Sequence, residues 1–295
     1  MNNIKVSDIL KATGGKLIQG NSELLINGIS TDTRSIKQGE IFFALEGENY
    51  DGHKFVEQAI HNGAAGAVIS SGKKAAYSFH NGFKKCALLE VADTLTALGE
   101  LAKFYRNSLP ASFIAVTGSN GKTTTKDMAY HVLRNFKSVS RSRKSFNNLI
   151  GVPLTIFETE TAHDFCIVEM GTNAPGEIKR LSEIIFPDFA ILTNISNAHL
   201  EGLENIEGVA SAKSEFIENM AEDGTLITNA DDDWCNQIAD RFNGKVISFG
   251  FNQSADIKAS NVKRNDSGFV FTVNDSLTVN LPVFGKHNIY NALAV

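Results

Sequence analysis

The sequence predicts an α/β chain: a small mixed N-terminal domain, then a P-loop domain with a mainly parallel sheet flanked by helices and a small antiparallel appendage. Three observations carry this reading. From residue 112 onward, short apolar runs alternate with helix-length patterns, which is how βαβ units appear in sequence. The run Phe113-Ile114-Ala115-Val116 leads into Thr117-Gly118-Ser119-Asn120-Gly121-Lys122-Thr123-Thr124, a glycine-rich loop opening a helix pattern. The length of 295 residues, 42% of them hydrophobic, is enough for about two domains, each with its own core.

In chain order, residues 6–12 read as a helix, 40–45 as a strand, and 55–62 as a helix leading into a strand at 67–69. A weakly patterned stretch at 70–85 precedes a strand at 87–91. The helix at 93–106, with Asp93 as N-cap, stops before Pro110, which sets the domains at 1–108 and 109–295. In the second domain strands are expected at 113–116, 165–168, 189–192, 225–227 and 246–249. Helices fit at 123–135, 176–185, 206–220 and 233–242. Residues 256–284 contain alternating runs around an Asn-Asp turn and read as the antiparallel appendage. The last residues, 288–295, form an uncapped apolar helix pattern, from which a missing C-terminal domain is expected.

Bulk properties exclude several classes. A net charge of -5 argues against a surface that coats nucleic acid, while leaving room for a local phosphate pocket. Cys86, Cys166 and Cys235 are odd in number and widely spaced, so neither a disulfide framework nor a zinc site is indicated. There is no leader pattern, and no apolar run approaches the roughly 18 residues of a membrane span. We therefore expect a cytoplasmic protein with no membrane insertion; a monomer is expected as well, though no sequence feature decides it.

The chemistry concentrates where strands end. In the loop from Gly118 to Thr124, the glycines let N–H groups turn toward an anion and the helix N-terminus adds its dipole. Lys122 reaches outer phosphates and Thr123 can hold Mg2+. Glu169 closes the next strand, where a buried carboxylate is costly unless a metal ion holds it, a lysine pairs with it or it caps the helix at Gly176; these readings all stand. His199 follows a third strand in a polar segment. Lys213 lies mid-helix among small residues, a solvent lysine or a ligand contact. Asn147 and Asn148 precede a Gly-x-Pro turn and are turn residues or a neutral phosphate or sugar contact. Thr31, Asp32, Thr33 and Arg34, with Asp51, Gly52 and His53, are polar loops bordering strands. The acids Asp231, Asp232 and Asp233 are read as a helix N-cap and first turn rather than a metal site.

Taken together, the phosphate loop, the segment 146–155, Glu169-Met170-Gly171, Asn197-Ala198-His199-Leu200-Glu201-Gly202 and Gly285-Lys286-His287-Asn288-Ile289-Tyr290-Asn291 resemble the Mur ligase family of ATP-dependent amide-forming enzymes. The resemblance extends to the first domain through Asp32-Thr33-Arg34 and Asp51-Gly52-His53. It implies the branch that joins D-alanyl-D-alanine to UDP-N-acetylmuramoyl-tripeptide through an acyl phosphate, with ATP and Mg2+ as cofactors. It further implies that Lys122 contacts phosphate and that Thr123 and Glu169 hold one Mg2+. His199 and a carbamylated Lys213 would serve a second, and Asn288 and Asn291 would border the adenine. The loops at 31–34 and 51–53 would receive the UDP end, and without a third domain little ligation is expected. Another Mur-type ligase, a folate polyglutamate ligase, and a nucleotide-dependent switch or sugar-nucleotide-binding module remain as alternatives.

Overall fold

The computed structural model describes residues 3–73, 85–198 and 200–295, without the side chains of Leu200 and Glu201. The expected weakly patterned stretch at 70–85 therefore falls largely outside the described residues, and so does His199. The chain divides into two compact units, residues 1–109 with 156–161, and residues 110–155 with 162–295. The return of 156–161 to the first unit was not legible from the sequence.

In the first unit the elements run β1 (Ile4–Lys5), α1 (Val6–Thr13), β2 (Lys16–Gln19), β3 (Leu25–Ile26), β4 (Gly28–Ser30), β5 (Glu40–Phe43), β6 (Glu46–Gly47), β7 (Tyr50–Asp51), α2 (Val56–His61), β8 (Gly66–Ser70), β9 (Ala87–Val91) and α3 (Thr94–Arg106). The main sheet has the order β2-β9-β8-β5-β4, parallel except where β2 meets β9. Phe42, Ala67, Ile69 and Leu88 from its strands pack with Val56 and Ala59 of α2 into one core. Asp93 caps α3, its carboxylate accepting from the Thr96 N–H at 2.6 Å. From the segment 156–161, Phe157 packs beside Tyr105, whose hydroxyl donates to the Thr159 carbonyl at 3.0 Å. The short strands β1 to β4 escape sequence reading because two to four residues cannot establish a period of two.

The second unit continues with β10 (Ser112–Thr117), α4 (Lys122–Leu133), β11 (Val139–Arg141), α5 (Gly151–Glu158), β12 (Phe165–Glu169), α6 (Glu177–Ile185), β13 (Phe189–Leu192), α7 (Leu200–Leu203), α8 (Ile206–Ser214), β14 (Thr225–Asn229), α9 (Asp233–Ala239), β15 (Lys245–Gly250), β16 (Ile257–Arg264), β17 (Phe269–Val273), β18 (Leu277–Leu281) and α10 (His287–Leu293). Its sheet has the order β11-β12-β10-β13-β14-β15-β16-β17-β18. From β11 through β16 the pairing is parallel; β17 and β18 are antiparallel. The expected appendage is thus continuous with the parallel sheet, joined where Phe249 and Gly250 pair with Ile257 and Lys258. Asn274 and Asp275, both at positive φ, form its predicted turn.

Strands β10, β12 and β13 are buried nearly throughout and read as apolar runs because both faces are covered. Ile114, Val116, Ile167 and Ile191 pack with Ala129 of α4 and with Ile289 and Leu293 of α10, and the same core runs on to Phe271 and Leu281. Two helices differ from expectation. The predicted 206–220 helix ends at Ser214 and continues as a tighter 3-10 turn over Glu215–Asn219. The predicted Gly-x-Pro turn is instead the first turn of α5, where proline's missing N–H costs nothing.

Candidate functional site

The carboxyl ends of the neighbouring strands β12, β10 and β13 bring the site together. The phosphate loop leaves β10 and enters α4 through Gly118 at φ +137 and Gly121 at φ +84, conformations that favour glycine. Both glycines also lie where a Cβ would strike a neighbour, Thr193 Oγ1 at Gly118 and Asn291 Oδ1 at Gly121. Sequence analysis expected the glycines to give the backbone freedom; the structure adds close packing behind the loop.

The segment after β13 fixes the loop's shape. The Ser119 N–H donates to the Asn194 carbonyl at 2.8 Å, and the Asn120 N–H to Asn194 Oδ1 at 3.1 Å. The Ser119 hydroxyl donates to the Ser196 carbonyl and accepts from the Ser196 N–H. Thr193 Oγ1 donates to the Asn120 carbonyl at 2.6 Å. With these groups occupied, the first-turn N–H groups of α4, at Lys122, Thr123 and Thr124, have no carbonyl four residues earlier in the helix, as at any helix N-terminus. Such groups, with the helix dipole, favour an anion.

Lys122 Nζ donates to the carbonyls of Gly118 and Ser119 at 2.8 and 3.1 Å. Burial lowers its pKa, partly opposed by the charge of Glu169. Thr123, exposed, donates its hydroxyl proton to Glu169 Oε2 at 2.8 Å. Glu169 is buried, its other oxygen accepts from Asn147 Nδ2 at 2.9 Å, and its N–H donates to Ser142 Oγ. The lysine-partner reading of Glu169 is realised: Lys126 Nζ, fully buried, stands 3.6 Å from Oε2. Sequence analysis missed Lys126. Its only signal was a cation one helical turn after Lys122 at a position that packs inward.

Asn147 and Asn148 part company. Asn147 orients Glu169, and its carbonyl receives the Gly171 N–H. Asn148 caps α5, with Oδ1 accepting from Ile150 and Gly151. Asn147 Nδ2 is thus committed to Glu169, while the side chain of Asn148 is exposed and uses its oxygen for the cap. Asn291 and Asn288 are buried: Thr125 Oγ1 donates to Asn291 Oδ1, Asn291 Nδ2 to Asn288 Oδ1, and Asn288 Nδ2 to the Phe284 carbonyl. They buttress the phosphate loop from behind. Asp232 caps α9 as expected, accepting from the Cys235 N–H, and its second oxygen accepts from the Ile195 N–H.

Lys213 sits in the last turn of α8, fully buried, with no hydrogen-bond partner for its ammonium among the described residues. Burial, and then the charge of Lys122, lower its pKa to about 8. An uncompensated buried ammonium is costly, and a neutral amine at this position is correspondingly nucleophilic.

The donor set bears on a metal. The Thr123 hydroxyl and the Glu169 carboxylate, adjacent oxygen donors, suit a hard cation such as Mg2+, which needs one or two protein oxygens beside phosphates and water. As an ammonium, Lys213 has no lone pair for a metal; a carbamate on the same nitrogen would supply oxygens.

In the first unit Arg34 forms a fork with Asp32, Nε to Oδ1 at 2.9 Å and a terminal nitrogen to Oδ2 at 2.6 Å. The hydrogen bond from Arg34 holds the Asp32 carboxyl at about 2. Thr33 is buried and Thr31 half-buried in the same turn. Glu46, Asp51 and His53 form a cluster of metal-ligand type. His53 Nε2 accepts from the Ser70 N–H at 3.0 Å, so its proton lies on Nδ1 and goes to Asp51 at 2.6 Å. Neither ring nitrogen keeps a free lone pair, and Lys73 bridges Asp51 and Glu46. Burial opposes the Asp51 charge, but hydrogen bonds from His53 and Lys73 hold it at about 2. This cluster is a structural clamp on the loop that begins at Gly52.

Comparison with known proteins agrees with this layout. The family model of the Mur ligase middle domain matches residues 116–295, and that of the Mur ligase family catalytic domain matches residues 25–106. The UDP-N-acetylmuramoyl-tripeptide–D-alanyl-D-alanine ligase of Bacillus subtilis is 38% identical over 291 residues, which cover 98% of this chain and 62% of the relative. The crystal structure of MurF from Acinetobacter baumannii superposes with a TM-score of 0.90 at 31% identity, covering 100% of this chain and 64% of that one. MurF ligase from Thermotoga maritima, in complex with ADP, gives a TM-score of 0.79 at 27% identity, covering 90% and 61%. The chain thus spans a little under two thirds of the length of these relatives. With both family models in sequence order, and one of them spanning more than half of its residues, the chain belongs to the Mur ligase family.

Proposed function

We propose that this chain carries the sugar-nucleotide-binding and ATP-binding parts of a cytoplasmic ligase that joins D-alanyl-D-alanine to UDP-N-acetylmuramoyl-tripeptide in peptidoglycan precursor synthesis. One observation carries the reading. A glycine-built phosphate loop places Lys122 at the head of α4, with the Thr123 hydroxyl on the buried Glu169 carboxylate. The likeness to D-alanyl-D-alanine ligases, one of them solved with ADP, supports the choice of substrates and nucleotide.

In the proposed reaction, a carboxylate oxygen of the tripeptide attacks the γ-phosphorus of ATP, forming an acyl phosphate and releasing ADP. The amine of D-alanyl-D-alanine then adds to the acyl carbon. The tetrahedral adduct loses a proton and expels phosphate, leaving the amide. The difficulty is that two anions must approach, so cationic groups and N–H dipoles must offset their repulsion. Lys122, released from the carbonyls of Gly118 and Ser119, turns toward the outer phosphates. The first-turn N–H groups from Lys122 to Thr124 receive phosphate oxygens. Mg2+, held by Thr123 and Glu169, would supply further charge neutralisation between the nucleotide and the attacking carboxylate. As its neutral amine, Lys213 adds to carbon dioxide, forming an N–C bond and releasing a proton to water, and the resulting carbamate is the form able to act with His199 toward a second cation. Thr31 to Arg34 and the loop at Asp51 to His53 receive the UDP end, with Arg34 offering its exposed guanidinium and His53 shaping the loop from within.

Calorimetric titration with UDP-N-acetylmuramoyl-tripeptide, with folate as control, tests the reading. Saturable binding of the sugar nucleotide and none of folate is the expected result; the reverse would move the assignment to a folate ligase, and binding of neither would sink the ligase reading.

A further inference from the structure

Lys126 has no part in the proposed chemistry, yet it is among the most deeply buried charges of the molecule. Its side chain is 1% exposed. Nζ donates to the Lys144 carbonyl at 2.6 Å, lies 3.6 Å from Glu169 Oε2, and stands equally far from Asp127 Oδ1. Asp127 is engaged elsewhere by Arg141. The Lys144 carbonyl belongs to a residue at φ +48, a left-handed conformation that a lysine adopts only when its surroundings impose it. The ammonium therefore pins the turn before Asn147, and Asn147 in turn holds the second oxygen of Glu169.

The oxygen nearest Lys126 is the one that also accepts from Thr123. We infer that Lys126 is a positioning residue that neutralises Glu169 and fixes its orientation, so that a divalent cation is accepted at Thr123 and Glu169 only together with a nucleotide. The inference rests on the nucleotide-binding reading above and adds to it an order of events. A free dication at Glu169 would lie beside a fixed ammonium whose other carboxylate neighbour, Asp127, is already paired with Arg141. Burial and the Lys144 carbonyl keep that ammonium from swinging away. A nucleotide triphosphate brings several negative charges and reverses the balance. The device would keep the loop from being blocked by free cations.

The test measures Mn2+ binding by electron paramagnetic resonance, with and without a non-hydrolysable ATP analogue, for the unaltered protein, Lys126→Met, Lys126→Gln and Lys126→Arg. The Gln variant keeps a donor for the Lys144 carbonyl should the Met variant fail to fold. Without nucleotide, the neutral variants are expected to bind Mn2+ roughly tenfold or more tighter than the unaltered protein. Lys126→Arg, which keeps the charge, is expected to restore weak binding. A merely structural role would lower affinity with and without nucleotide alike and overturns the inference, as does unchanged nucleotide-free affinity in both neutral variants. If the unaltered protein binds no Mn2+ even with the analogue, the nucleotide-binding reading itself fails.

Discussion

At the scale of single residues, Lys213 carries a measurable penalty. Its amine is buried without a hydrogen-bond partner among the described residues, and its pKa near 8 lies below the ordinary 10.5. Between these values the unfolded chain binds more protons than the folded one, so stability rises with pH; below about 8 the whole penalty is present. In carbon-dioxide-free buffer, Lys213→Met is expected to stabilise the protein at pH 7 by on the order of 3 kcal/mol, with the gain fading as pH climbs toward 10. Urea denaturation across that range checks it, and identical pH profiles for the two proteins would remove the buried ammonium from the account. Adding bicarbonate near pH 8 should stabilise the unaltered protein and leave Lys213→Met unmoved. Sequence alone placed Lys213 among small residues but could not reveal its burial, which follows from how α8 packs.

At the scale of elements, the strand-loop-helix of β10 and α4 was legible because its apolar run, its glycines and its helix pattern are contiguous. What holds it was not. Gly121 abuts Asn291, and Ser119 is held by Asn194, contacts between residues far apart in sequence. Lys126 stayed hidden for the same reason, since its acceptor is a backbone carbonyl 18 residues on. The short edge strand β11, whose middle and last residues are polar, and α5, opened by a proline-containing turn, defeat pattern reading because neither shows an apolar period. The buttress behind the loop can be isolated with two glycines of nearly equal φ. Gly121, at +84°, would drive a Cβ into Asn291, whereas Gly176, at +85°, has open space. Gly176→Ala should cost about 1 kcal/mol from backbone strain alone. Gly121→Ala should cost about 1–3 kcal/mol more and weaken nucleotide binding. Equal losses in a denaturation series would mean that Asn291 yields freely.

At the scale of the whole molecule, the order of strands in the larger sheet separates partners in sequence. β10 pairs with β12 and β13, and α10, at the far end of the chain, packs in the same core as α4. Fold class was legible here because alternating strand and helix patterns admit few arrangements. The junction of β15 with β16 was not, because an irregular link and an antiparallel meander look alike in sequence whether or not they continue a sheet. Such long-range pairing folds slowly compared with the β16 to β18 meander, whose contacts are local. Refolding followed by circular dichroism should therefore gain much of its signal before a fluorescent ATP analogue binds. Simultaneous traces would contradict this.

The buttress of Gly121 by Asn291 has a consequence for the chain as it is made. A ribosome adds residues in order, and the phosphate loop emerges long before the asparagine that backs it. Until α10 has left the exit tunnel and docked, the loop lacks its rear wall and cannot hold a nucleotide in the final geometry. The loop therefore reaches the geometry described here only after a segment some 170 residues further along the chain has been made and docked.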